Sequence, residues 1–323
     1  MSNKEKIMWA AGAICLVFLF LLSSTDWIIA EKEREVYQLS VIVEDSSDEY
    51  YVNFKKGMDK AAESLHADVD FITLYAPNDL AQQIELIQRE IKEGADALIV
   101  APVDESEFVM RLDEISPSCP IILLGTSNVS ASVAASIGIN GFEAGEQLAG
   151  RIEAKESRRF PVCLLTEGLN YTGNKERYDG IHSALSEAGF TCRLIEKQSE
   201  DTYRQAIEET VYPGKGRMTV VALDAAALSE AAAIIGGSSV YKGYITGLYG
   251  FGSTVSILNE LDRGVVDGLM THSQFDEGYL SVKMAVEAVR GMRLGEQAVM
   301  DSIYVEAKDL RDSRYEKLLY PME

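Results

Sequence analysis

From residue 37 onward, short apolar runs alternate with stretches whose apolar residues recur at helical spacing, and this alternation confines the chain to an α/β architecture. The first repeat sets the pattern. Residues 39–43 are an apolar run, 44–49 a polar turn, and Phe54, Met58, Ala61 and Leu65 then share one helical stripe. Strand candidates follow at 69–75, 95–101, 119–125 and 133–138. Helices separate them, with stripes Leu80, Ile84, Ile87, Ile91 and Phe108, Leu112, Ile115 that stop at Gly94 and before Pro117. A second series has strands at 160–166, 191–197, 218–223, 243–249 and 265–271, helices at 142–154, 176–188, 203–211, 225–235 and 254–261, and a long helix at 276–290. Strands that are apolar throughout belong to parallel sheets covered on both faces, so the pattern predicts two α/β lobes. No low-complexity linker divides them, which predicts several short crossovers.

In an open parallel sheet, ligands sit beyond the carboxyl ends of the strands. The first such loop ends in Tyr50 and Tyr51, whose ring faces suit a flat, hydroxylated or heterocyclic small molecule. Both readings stand at this point: a stacking pair for a ligand, or two tyrosines that open the helix and pack on the core.

The formal net charge of −21 lies wholly in residues 31–323, because the first thirty residues hold two acids and two bases. Such a surface repels phosphate backbones and argues against a nucleic-acid partner. The four cysteines lack paired metal-ligand spacing, and Cys119, Cys163 and Cys192 each fall in a strand-like run where a free thiol acts as a small apolar group. A Cys163–Cys192 bridge requires their strands to be neighbours.

Residues 7–25 carry no charge and follow Lys4 and Lys6, which predicts a single N-terminal membrane span with the rest outside the cytoplasm. Cys15, preceded by Ile14, is a poor lipoprotein site. Small residues one and three before a cut are poorly supplied, so an uncleaved anchor is expected over a removed leader. Residues 31–35 form a short charged spacer.

The chain resembles the type I periplasmic binding proteins, the ribose- and galactose-binding group of sugar transporter subunits. The likeness is carried by Tyr50 and Tyr51 with Gly57, the segment 81–104, Pro120, Asn140 with Gly145, the segment 175–185, and Asp224. The resemblance implies two doubly wound lobes joined by three crossovers and closing on a ligand by hinge motion. Residues 1–35 would be tip, anchor and spacer, 36–139 plus 273–297 the N-terminal lobe, and 140–272 plus 298–323 the C-terminal lobe. Ile139, Asn140, His272 and Ser273 would lie at the hinge.

It also implies a pocket. Tyr50 and Tyr51 match an aromatic pair that sandwiches a sugar ring, Arg177 a two-pronged donor, Asp224 an acid at a strand end, and His272 a polar hinge residue. Asp48 stands where an Asn is common, Gly125 and Thr126 replace an Asp-Arg pair, and Tyr249 replaces an acid. These departures favour a ligand with fewer hydroxyls, read by stacking on Tyr50, Tyr51 and Tyr249. Without the resemblance, plainer readings apply: Arg177 pairs with Glu176 or Asp179, Asp224 is a helix cap, His272 is structural and Tyr249 belongs to a turn.

No nucleophile elbow, phosphate loop, HExxH or Cys-His pairing is present, and no cofactor or metal is implied. The expected activity is solute binding without catalysis. The partner would be an ABC permease; the alternatives are a membrane histidine kinase or chemoreceptor, or an interaction ectodomain that has lost its ligand.

Overall fold

The computed structural model describes residues 2–24, 36–44, 48–76, 78–125, 130–171, 173–197, 202–211 and 216–321. Two compact units result, Met1–Val36 and Tyr37–Glu323. The first contains α1 (Asn3–Ser24), which leaves Ile7, Met8, Trp9, Ile14 and Leu16 exposed. Among the described residues no helix is long and apolar enough to cross a membrane, so the span expected over residues 7–25 is not established by the structure.

The second unit begins with β1 (Tyr37–Val43), α2 (Asp48–Leu65), β2 (Ala67–Thr73), α3 (Leu80–Glu93), β3 (Ala97–Val100), α4 (Glu105–Ile115), β4 (Ile121–Leu124) and β5 (Ala135–Ile139). It continues with α5 (Gly141–Lys155), β6 (Val162–Thr166), α6 (Asn174–Glu187), β7 (Cys192–Glu196), α7 (Tyr203–Val211), β8 (Met218–Ala222) and α8 (Ala225–Gly236). Then come α9 (Ser239–Tyr244), β9 (Ile245–Phe251), α10 (Val255–Asp262), β10 (Gly268–Thr271), α11 (Gln274–Val289), β11 (Gln297–Met300), β12 (Ile303–Val305) and α12 (Ser313–Leu319). The strands build two six-stranded sheets, β11-β5-β4-β3-β1-β2 and β12-β10-β9-β8-β6-β7. All described pairings are parallel except β10 with β12, so the second sheet is not purely parallel as the sequence suggested.

Val41, Ile42, Val43 and the whole of β3 are buried, as strands covered by helices on both faces must be. The chain passes between sheets after β5, again between β10 and β11, and finally between β11 and β12. These passages lie side by side, because Met300 pairs with Ile139 in one sheet and Thr271 with Ile303 in the other.

Each lobe seats its helix pair with reciprocal glycines. A Cβ on Gly57 of α2 would lie 1.9 Å from the Phe275 carbonyl oxygen, and one on Gly278 of α11 would lie 2.1 Å from that of Phe54. Gly145 of α5 and Gly180 of α6 repeat the arrangement against Arg177 and Phe142. Only a residue with no side chain permits backbones to approach so closely.

All four cysteines are free. Cys163 lies opposite Arg193 and Cys192 opposite Val162, so the contemplated bridge is not formed. Burial pushes the Cys163 thiol up to about 11, consistent with an inert core residue.

Candidate functional site

The carboxyl ends of both sheets face a cavity of about 210 Å³. Its wall is made largely by residues just after strands. Glu44 follows β1, Ala101 and Pro102 follow β3, Gly125 follows β4, Glu167 follows β6, Asp224 lies two beyond β8, and His272 follows β10. Strand ends place them there, as open parallel sheets require.

Tyr50 and Tyr51 both line the cavity, but not as a parallel pair. The helix α2 starts at Asp48, earlier than expected, so both tyrosines sit in its first turns. Their rings meet edge to face at 4.8 Å and 86°, and Tyr51 continues edge-on into Phe54 and Phe71. The two sequence readings thus merge: Tyr51 is packed on the core and still presents a surface to the cavity.

Arg177 enters from the first turn of α6. Its Nη1 donates to the Leu223 carbonyl oxygen at 2.8 Å and to Asn174 Oδ1 at 3.3 Å, and the guanidinium lies over the Phe251 ring, 4.9 Å from its centroid. Its Nε is buried with no hydrogen-bond partner among the described residues. A buried donor without a partner is costly.

Asp224 is both a helix cap and a hub. One carboxylate oxygen accepts from the Ala227 N–H at 2.7 Å, opening α8. The other accepts from Thr166 Oγ1 at 2.9 Å, the Glu167 N–H at 3.3 Å and Asn174 Nδ2 at 3.3 Å. Thr166, Asn174, Asp224 and Arg177 therefore form one connected polar network. His272 Nε2 is 3.0 Å from Glu277 Oε2, a carboxylate presented by α11.

Tyr171 also lines the cavity, and its phenol is pushed well above its usual range by burial and then by Glu44, Glu167 and Asp224. Three carboxylates therefore act on one ring.

Other expected residues fall elsewhere. Tyr249 is a correction: its ring is buried in the core of the second lobe, and its hydroxyl donates to Glu156 at 3.0 Å. The strand β9 runs to Phe251, two residues beyond the expected end, so Phe251 and not Tyr249 reaches the Arg177 side of the cleft. Thr126 lies outside the described residues, and Asp48 is described only as the start of α2. Ile139 lines the cavity. Asn140 and Ser273 cap α5 and α11 immediately after the passages between sheets, accepting from Glu143 and Asp276 N–H groups. The sequence reading missed Glu44, Glu167, Tyr171, Asn174, Phe251 and Glu277. For Glu44 and Glu167 the signal was available: each directly follows a strand.

Among the described residues no cluster of His, Cys, Asp and Glu could hold a metal ion.

Comparison with known proteins places this architecture. The chain is 23% identical over 200 residues to the ribose import binding protein RbsB of Bacillus subtilis, covering 59% of this chain but only 64% of that relative. It is 22% identical over 274 residues to the periplasmic protein TorT of Escherichia coli K12, covering 84% of this chain and 77% of TorT. Among solved structures, a carbohydrate transporter solute-binding protein from Agrobacterium radiobacter in complex with D-arabinose superposes with a TM-score of 0.80. The match has 18% identity and covers 88% of this chain and 99% of that one. The glucose-galactose binding protein GanP of Geobacillus stearothermophilus gives 0.76 at 20% identity, covering 86% and 99%. At such identities the structural likeness shows the fold. The model of the periplasmic binding protein domain matches residues 39–293, most of the chain, and the chain belongs to that family.

Proposed function

We propose that the protein is an extracytoplasmic solute-binding protein that closes its lobes around a small sugar-like ligand and presents it to an ABC importer. One observation carries this reading: Arg177, whose Nε is buried with no hydrogen-bond partner among the described residues, lines a cavity between two sheet ends, beside aromatic faces and carboxylates that accept hydrogen bonds from hydroxyl groups. The named roles of the ribose and arabinose relatives support it. Tyr50, Tyr51, Arg177, Asp224 and His272 are the proposed ligand contacts, and the lobes 36–139 plus 273–297 and 140–272 plus 298–323 are the proposed moving bodies. Closure is the whole activity.

Membrane attachment is a separate proposal that rests on the sequence. The charge-free run 7–25 after two lysines would hold the binding unit at the outer face of the membrane. Extraction of the native chain by carbonate, without detergent, would count against it. A sensing role, with the closed form meeting a histidine kinase or chemoreceptor, uses the same closure. Loss of ligand uptake in a knockout whose neighbouring genes still respond to the ligand would decide for transport.

The test of the binding reading is calorimetric titration of the full-length chain with monosaccharides, polyols and nucleosides. A ligand at one hundred times its dissociation constant stabilises the folded state by about 2.7 kcal/mol, so melting shifts provide a second readout. Binding abolished by Arg177→Ala places the ligand in this cavity. Silence across the panel, with wild type fully folded, leaves the ligand-free ectodomain as the better account.

A further inference from the structure

A second, smaller chamber of about 30 Å³ adjoins the cavity. Tyr50, Ile139, Arg177, Ala225 and His272 line both, so the chamber opens beside the cavity at the end where the chain passes between the sheets. Phe251, Met270, Thr271 and Gln274 line the chamber and not the cavity. A polar space of at least ~10–15 Å³ admits one water-sized group, so the chamber holds one hydroxyl and little more.

Most polar side chains around it are already engaged. Thr271 Oγ1 is 2.7 Å from Ser253 Oγ, His272 Nε2 is 3.0 Å from Glu277, and Arg177 Nη1 donates to the Leu223 and Asn174 oxygens. Gln274 differs. It is only 7% exposed, yet its side chain makes no hydrogen bond among the described residues. An amide carries donors and an acceptor, and burying them without partners is costly. A hydroxyl, which both donates and accepts, matches that amide. Ile139, Phe251 and Met270 add apolar surface, which suits a methylene leading to the hydroxyl. Gln274 opens α11, which is seated on α2 in the first lobe, whereas Arg177 stands in α6 of the second. A group held in so small a space lies between the two lobes, and its binding favours their closure.

We propose that this chamber receives an exocyclic hydroxymethyl arm of the solute, and that Gln274 is the residue that reads its hydroxyl. The inference rests on the solute-binding reading and names the substituent by which that site selects.

The experiment is calorimetric titration of the full-length chain with matched sets of pyranoses. Each set holds a hexose, its 6-deoxy form and the pentose that lacks the arm: D-glucose with D-xylose, D-galactose with L-arabinose, D-mannose with D-lyxose, and D-allose with D-ribose. In the set that binds, the hexose should bind about tenfold or more tighter than its 6-deoxy form and its pentose, because either of these leaves the buried amide without a partner. In Gln274→Leu, which keeps the bulk and removes the amide, the hexose and its 6-deoxy form should converge in affinity, with circular dichroism confirming the fold. Equal or tighter binding of a pentose or a 6-deoxy sugar by the wild type overturns the assignment of the chamber and leaves the solute-binding reading standing. A hexose preference that survives in Gln274→Leu, or a loss shared equally by all three members, overturns the role of Gln274. Silence from every set overturns the hydroxymethyl assignment, and the underlying reading falls with it only if polyols and nucleosides are silent too.

Discussion

The carboxylate of Glu49, in the first turn of α2, accepts from the backbone N–H of Ser256 at 2.8 Å and from its hydroxyl at 2.9 Å, at the start of α10 in the other lobe. A side chain of one lobe thereby satisfies an open N–H at a helix start in the other, where the helix dipole also favours negative charge. Asn53 and Lys56 extend the same face of α2 towards the carbonyl oxygens of Leu319 and Pro321, at 3.2 and 3.0 Å.

Glu49→Ala should therefore shift the lobes towards an open arrangement. The expected change in the open-to-closed ratio is about two- to fivefold, the scale of an exposed charge at a helix start. Distance distributions between spin labels on the two lobes measure it. Unchanged distributions in Glu49→Ala and Ser256→Ala alike would show that this contact does not govern closure.

Arg177→Lys should fail to rescue the binding lost in Arg177→Ala. The guanidinium spends Nη1 on the Leu223 and Asn174 oxygens while Nε has no partner among the described residues, and an ammonium cannot occupy both positions at once. Affinity should fall by about tenfold or more in both variants, read by calorimetric titration with any ligand that the wild type binds.

Gly180→Ala should destabilise the second lobe by about 1–3 kcal/mol, as overpacking of a close contact does. The new Cβ would lie 2.1 Å from the Phe142 carbonyl oxygen, which is backbone and cannot swing aside. Gly150→Ala is the control, since its Cβ meets nothing within 4 Å and lies inside α5, where alanine should stabilise by up to ~1 kcal/mol. Thermal melts of the two variants should move in opposite directions.

Acid sensitivity should map in part to Glu306. Its carboxyl is held down to about 2 by Lys155 and Lys308, the latter at 2.6 Å. A pKa lower in the folded state than in the unfolded state gives stability that is fully present above the ordinary carboxylate range and lost as pH falls through the folded value. Glu306→Gln should flatten the decline in melting temperature between about pH 5 and pH 2, and leave the curve above that window parallel to wild type.

The sequence made the alternation of β1, α2, β2 and α3 legible because buried parallel strands and amphipathic helices leave different periodicities. Short edge strands leave little trace. β11 and β12, four and three residues long, owe their pairing to partners far away in sequence, and no local pattern announces them. In the cavity, Tyr50, Tyr51, Arg177, Asp224 and His272 were reachable from loops after strands and from the resemblance. Tyr249 was not placed correctly, because its role depended on where β9 ends, and a two-residue error moved the expected contact from Phe251 to a core tyrosine. The edge-to-face meeting of Tyr50 and Tyr51 was also hidden, since adjacency in sequence does not fix ring orientation.

The three passages between the sheets make the two lobes topologically inseparable by a single cut. A protease that nicks the chain after β5 leaves β1 to β5 on one fragment, yet β11 and α11, which complete that same lobe, belong to the other fragment. The halves would remain interlocked through Ile139–Met300 pairing and the glycine-seated contact of α2 with α11. A nicked molecule would still run as one particle, and its two pieces, expressed separately, have the surfaces needed to find each other.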